Sequence, residues 1–142
     1  MSKEEFDGIG EKSLLDLHIE DTPDQTTVPS GEEYELMIQS AKVKPGSSNP
    51  ERNVLHVMMS VVDQPTAKPV FEYLSFPMES DEENTQYSMK LNLKNFMQAF
   101  GINPGKPGPF AEWKGLTGWA FLKTAEYDGE ESNKVSRWQL KK

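Results

Sequence analysis

Phe71 and Tyr73 stand two residues apart in a run of alternating side chains, and His56 and Met58 stand two apart in the run before it. Successive side chains of a strand point to opposite faces, so each pair shares one face. If the two strands pair in the phase that turns Val70 and Leu74 inward, all four side chains adjoin on the outer surface. Flat groups on such a surface stack nucleobases, at about 1–3 kcal/mol per base, where a cationic groove tracks the phosphates. Lys42, Lys44 and Arg52 flank the loop joining the first two strands, and Lys134 and Arg137 add to them if the last strand borders the groove. The opposite register buries Phe71 and Tyr73, and the favoured one leaves Glu72 awkwardly in the core phase. Lys90 and Lys94, one turn apart on a helix, read better as a solvated face than as a contact. For each of Trp113, Trp119 and Trp138, core packing is the better account. Trp119 shares a phase with Phe121, while Gly118, Ala120 and Leu122 offer the other.

Other chemistries are poorly supplied. The 142 residues include no cysteine, which removes disulfides, thiolate metal sites and cysteine nucleophiles together, and His18 and His56 are the only histidines. No phosphate-cradling Gly-Lys-Ser or Gly-Lys-Thr occurs, and no serine sits in a Gly-x-Ser-x-Gly turn. Glu79, Asp81, Glu82 and Glu83 form an acidic run, but carboxylates before a helix serve its N-terminus, and Ser80-Asp81-Glu82-Glu83 has the capping-box spelling. No catalytic residue, metal or cofactor is assigned, and the chain is not expected to be an enzyme.

The formal charge is −8, unevenly placed. Eleven acidic residues and two lysines lie in the first 35 residues, whereas thirteen basic and twelve acidic residues follow. An acidic total excludes nucleic acid only if the acid surrounds the groove, and here it is concentrated in an arm. No stretch approaches the roughly 18 apolar residues of a membrane span, and Met1–Phe6 is acidic where a signal peptide is basic and then apolar. A cytoplasmic location is expected.

Residues 1–29 read as an acidic, flexible arm and 30–142 as one folded domain. Within the arm, Leu15, Leu17 and Ile19 alternate with polar residues, the period of a strand that docks on the body or on a partner; a disordered tail is the equal alternative. A long first strand begins after Gly31. Tyr34, Leu36 and Ile38 share one phase and Ala41 and Val43 the other, a one-residue slip of the kind a β-bulge makes. The second strand turns Leu55, Val57, Met59 and Val61 inward, and the third runs from Val70 to Phe76. Met89, Leu93, Phe96, Met97 and Phe100 then fall at helical spacing over about Tyr87–Phe100, with Gly101-Ile102 as a left-handed stop. Two strands close the chain, about Thr117–Tyr127 and Asn133–Leu140, joined across Asp128-Gly129 by a link longer than the tightest hairpin turn. The order β-β-β-α-β-β with a bent first strand predicts a mainly β fold, the five-stranded Greek-key OB barrel, whose face on strands two and three binds oligonucleotides and oligosaccharides. An open α+β sheet and a two-sheet sandwich fit less well.

The same residues carry a resemblance. The opening Pro29-Ser30-Gly31-Glu32-Glu33-Tyr34, the strand Lys68-Pro69-Val70-Phe71-Glu72-Tyr73-Leu74 and the helix end Asn95-Phe96-Met97-Gln98-Ala99-Phe100-Gly101-Ile102 are followed by Trp113-Lys114-Gly115-Leu116, Glu126-Tyr127-Asp128-Gly129 and Asn133-Lys134-Val135. In that order, over Pro29 to Leu140, the chain resembles the OB-fold single-stranded-DNA-binding proteins of tailed bacteriophages. The resemblance implies coating of single-stranded DNA during replication or recombination in the host cytoplasm. Phage proteins of this activity often carry their acidic segment at the C-terminus, whereas this sequence closes on Trp138-Gln139-Leu140-Lys141-Lys142.

Two functions follow. In one, the domain coats single-stranded DNA with little sequence preference, and the arm competes for the groove or recruits replication or recombination proteins. In the other, an acidic protein-interaction or DNA-mimic domain binds a basic partner. Oligosaccharide binding is a third use of such a face.

Overall fold

The computed structural model describes residues 11–140. Glu4, Glu5 and Asp7 of the expected arm and the closing Lys141-Lys142 lie outside them. Five strands, β1 (Glu33–Pro45), β2 (Asn53–Val61), β3 (Val70–Ser75), β4 (Thr117–Tyr127) and β5 (Glu130–Gln139), form one antiparallel sheet in the order β3-β2-β1-β4-β5. A helix, Glu83–Ala99, and a 3-10 turn, Phe110–Trp113, stand between β3 and β4.

The phase slip in β1 is a register shift between Ile38 and Ser40. Before it Leu36 and Ile38 point inward, and after it Ala41 and Val43 do, so the strand bends without exposing its apolar side. Glu33–Met37 pair with β4 while most of the strand pairs with β2, so β1 serves both halves of the sheet. The sheet curls in a barrel-like way until its outer strands meet. Across that seam the Val135 N–H donates to Glu72 Oε1 at 2.6 Å, and Lys134 Nζ donates to the Phe71 carbonyl at 3.0 Å. Glu72 therefore stands in the core phase for a reason: its carboxylate receives a backbone N–H of the opposite edge. Burial pushes its pKa up, against the Val135 N–H and the charges of Lys134 and Lys123.

Inside the curl, Leu55, Val57, Met59, Val70, Ala120 and Leu122 pack with Phe96, Phe100 and Trp113. The helix sits tightly against β4, because a Cβ on Gly118 would fall 2.5 Å from the Ala99 carbonyl oxygen. Its C-terminus closes as expected: Gly101 is left-handed (φ 73°), and the N–H groups of Gly101 and Ile102 return to the carbonyls of Gln98 and Met97. Its start differs. The helix begins at Glu83, a turn before the expected Tyr87, and Glu82 at the N-cap makes no side-chain cap, so the capping box does not form.

The hairpin is also tighter than expected. Tyr127 pairs with Glu130 across Asp128-Gly129, both with positive φ (51° and 80°), which is the two-residue turn that fits sheet twist. Glu130, Glu131 and Ser132 thus extend β5 three residues ahead of the apolar pattern, in solvent where no alternation is imposed. In the arm no strand forms over Leu15–Ile19. Residues 11–16 are helical, a 3-10 turn follows at Ile19–Asp21, and Leu14, Leu15, Leu17 and Ile19 are 54–77% exposed. The arm's last residues are held to the body: Val28 is buried, its N–H donates to Asn133 Oδ1 (2.9 Å), and its carbonyl accepts from Asn133 Nδ2 (3.0 Å). Thr26 bridges Ala67 just before it.

No helix of the described residues is long and apolar enough to cross a membrane.

Candidate nucleic-acid interface

The register of β1, β2 and β3 puts the expected side chains side by side. Lys42 lies opposite His56, which lies opposite Tyr73; in the next row outward, Ser40 lies opposite Met58, and Met58 opposite Phe71. Phe71 is 41% and Tyr73 54% exposed, while Val70 and Leu74 are buried, so the outward phase of β3 holds. His56 meets Tyr73 edge to face, with ring centres 4.8 Å apart and planes at 81°. From β5, the Lys134 ammonium stands over the Tyr73 ring at 5.1 Å to the centroid while its hydrogen bond to Phe71 fixes the reach. The outer face of the curl thus carries two exposed aromatic rings, a histidine and a thioether with cations on both flanks.

Among the described residues Lys42, Lys44 and Lys134 form no ion pair. The one ion pair among the described residues is Arg52–Asp81, and Arg52 lines a groove together with His56 and Tyr73. Lys42, through hydrogen bonding and then charge repulsion, holds Lys44 below the ordinary lysine value. Partial burial, then Lys44 and Lys42, pushes His56 below the ordinary histidine value. A cluster whose members lower one another's pKa is stabilised by an incoming anion.

Two expected members are engaged in contacts of their own. The Arg52 guanidinium grips the Asp81 carboxylate with two bonds of 2.8 Å and donates to the Phe76 carbonyl at 2.9 Å. This fork ties the start of β2 to the approach of the helix, and Asp81 also accepts from the Met78 N–H, so it organises the turn rather than capping the helix. The Arg137 guanidinium stands over the Phe121 ring, 4.5 Å from its centroid, on the β4–β5 side. Trp113 and Trp138 pack with Phe96 in the core, whereas Trp119 faces outward from β4.

Sequence reasoning missed part of the surface. Beside Phe71 and Tyr73 a groove runs between β3 and the tip of the β4–β5 hairpin, lined further by Lys68, Lys134 and Tyr127 and by the carboxylates Glu126, Glu130 and Glu131. Tyr127 is 80% exposed there, and Lys123 is the cross-strand neighbour of Lys134. The signal for Tyr127 lay in its place beside Asp128-Gly129, where a tight turn leaves the flanking side chain in solvent. Lys123 was readable from its outward phase two residues after Phe121.

Compared with known protein families and with curated proteins, the chain matches none.

Proposed function

We propose that this chain binds single-stranded DNA with little sequence preference, laying bases on Phe71 and Tyr73 and phosphates along Lys42, Lys44 and Lys134. The observation that carries the reading is the pair of rows Lys42–His56–Tyr73 and Ser40–Met58–Phe71 with Lys134 above them, exposed aromatics amid cations that form no ion pair among the described residues. A stacking surface of this kind takes any base, since every base has a π-face, and it needs strands that are not already paired. The sheet order, the bulged first strand shared by both halves, the β3–β5 seam and the helix between β3 and β4 support assignment as an OB barrel. The resemblance to tailed-phage proteins supports a setting in phage replication or recombination, in the host cytoplasm.

The test is fluorescence anisotropy of a labelled thymidine oligomer, with a matched duplex as control, over a salt series. Intrinsic tryptophan is a poor reporter because Trp113 and Trp138 are packed against the core and the exposed Trp119 stands on β4, outside the rows. Saturable binding that prefers the single strand and weakens with salt, at a slope of about −0.7 per phosphate neutralised, is expected. Absence of binding at low salt overturns the reading. It then favours a basic protein partner, to which the exposed arm carboxylates Glu11, Asp16, Glu20, Asp21 and Asp24 lend support.

A further inference from the structure

Away from the rows, the helix and the 3-10 turn leave an apolar groove on the surface. Leu93 and Met97 of the helix form one wall, Phe110 and the edge of Trp113 the other, and Leu55 and Phe76 line it from the sheet side. Phe110 is 38% exposed, and the groove offers almost no polar surface to a ligand. Lys90 and Lys94 share a helix face with Leu93 and Met97, and Lys106 and Lys114 are exposed next to the lining residues Pro107 and Trp113, with Glu79 and Glu112 the exposed acids nearby in sequence. An apolar trough with a mostly cationic rim selects an apolar segment bearing carboxylates.

The chain carries such a segment. In residues 11–20 the helical run and the following turn fold back on each other through the left-handed His18 (φ 53°), so that Leu14, Leu15 and Ile19 share one exposed apolar surface with Glu11 and Glu20. Leu17 is exposed as well, Asp16 and Asp21 add negative charge, and Lys12 and His18 are the basic groups on this element. This knob is not seated in its own chain's groove: its leucines are open to solvent, while the root of the arm is fixed at Thr26–Val28.

We propose that the 11–20 knob of one copy seats in the Leu93–Met97–Phe110–Trp113 groove of a second copy. Knob and groove are different surfaces, so the contact is head-to-tail and each copy added presents a fresh knob and a fresh groove. Such growth makes an open row along a shared strand rather than a closed dimer. One helical knob buries less than the about 800 Å² per partner of a standard interface, so association in free solution is weak and salt-sensitive.

Sedimentation velocity of the full chain without nucleic acid, over a concentration series, tests this apart from the DNA reading. Average mass should rise above the 16.1 kDa of one chain with concentration and fall back in high salt. Leu15→Ser with Ile19→Ser disables the knob, and Phe110→Glu disables the groove; all three residues are exposed, so the fold is kept. Each variant alone should stay at one chain's mass, while an equimolar mixture should form a dimer and stop, because only one intact knob meets one intact groove. A constant 16.1 kDa for the wild type at the highest concentration overturns the proposal. So does self-association that both variants retain, or a mixture that stays monomeric.

Discussion

The Lys134 ammonium lies 5.1 Å above the centre of the Tyr73 ring and is hydrogen-bonded to the Phe71 carbonyl, so one side chain of β5 touches both aromatic residues of β3. Lys134→Met keeps the aliphatic stem against the ring and removes the charge. Affinity for the thymidine oligomer should drop, and the salt slope should shrink by about 0.7, the share of one phosphate contact. An unchanged slope would mean the ammonium serves only the β3–β5 seam.

Phe71→Ala and Tyr73→Ala, singly, should each weaken oligonucleotide binding by about 1–3 kcal/mol, the usual loss for one stacked base. Both rings are more than two-fifths exposed, so the melting temperature should barely move. Binding titrations beside thermal unfolding separate the two effects.

His56 is held below the ordinary histidine value by partial burial and by Lys44 and Lys42. A phosphate seated among these groups favours the imidazolium, so the complex takes up a proton between the free and bound pKa values. Affinity should rise as pH falls from 7.5 toward 5.5, and His56→Gln should flatten that dependence. Stability runs the other way: over the same window the unfolded chain binds more protons at this site than the folded one, so the fold gains as pH rises toward 7. Anisotropy and denaturant midpoints at the two pH values check both signs.

Arg52 and Asp81 are expected to matter for folding rather than for binding. The Arg52 hydrogen bonds, with that of the Met78 N–H, hold the Asp81 carboxyl down at about 2. Its contribution to stability is therefore present above the ordinary aspartate value and is lost as pH falls from about 4 to about 2. Arg52→Met should raise the pH of acid unfolding and lower the melting temperature, with the oligonucleotide salt slope intact. A reduced slope would return Arg52 to the phosphate path.

Removing residues 1–24 strips acid while sparing Thr26–Val28, and should tighten binding to an oligonucleotide short enough for one chain. Removing residues 1–28 also deletes Val28, leaves the Asn133 amide with only its 3.4 Å bond to the Lys123 carbonyl, and should lower stability by about 1–3 kcal/mol. Unchanged or weaker affinity in the shorter deletion would overturn competition by the arm.

What the sequence disclosed depended on how local each signal was. The bulge after Ile38 was legible because apolar residues on both sides of it must stay inside, which fixes the slip to one residue. The outward phase of Phe71 and Tyr73 was legible from Val70 and Leu74, but the sense of Glu72 was not, since its partner is a backbone N–H 63 residues away. The Arg52–Asp81 pair was hidden for the same reason: the place of Arg52 beside a cationic loop suggested phosphate, and the carboxylate that holds its guanidinium lies 29 residues on. In the arm, Leu15, Leu17 and Ile19 satisfy period two only because the window is short. Adding Leu14 breaks the alternation and allows a helical turn.

The clip between Asn133 and Val28 sets where the acidic segment is leashed. Its root lies beside Lys68 and the β3–β5 seam, next to Phe71, Tyr73 and Lys134. A tethered chain acts at an effective concentration set by its length, in the millimolar range for short flexible links. Inhibition by such a leash does not fade on dilution, and it is tuned by spacer length rather than by affinity. Lengthening the stretch between Asp21 and Gln25 with Gly-Ser repeats is then a dial on how readily the groove opens to a strand.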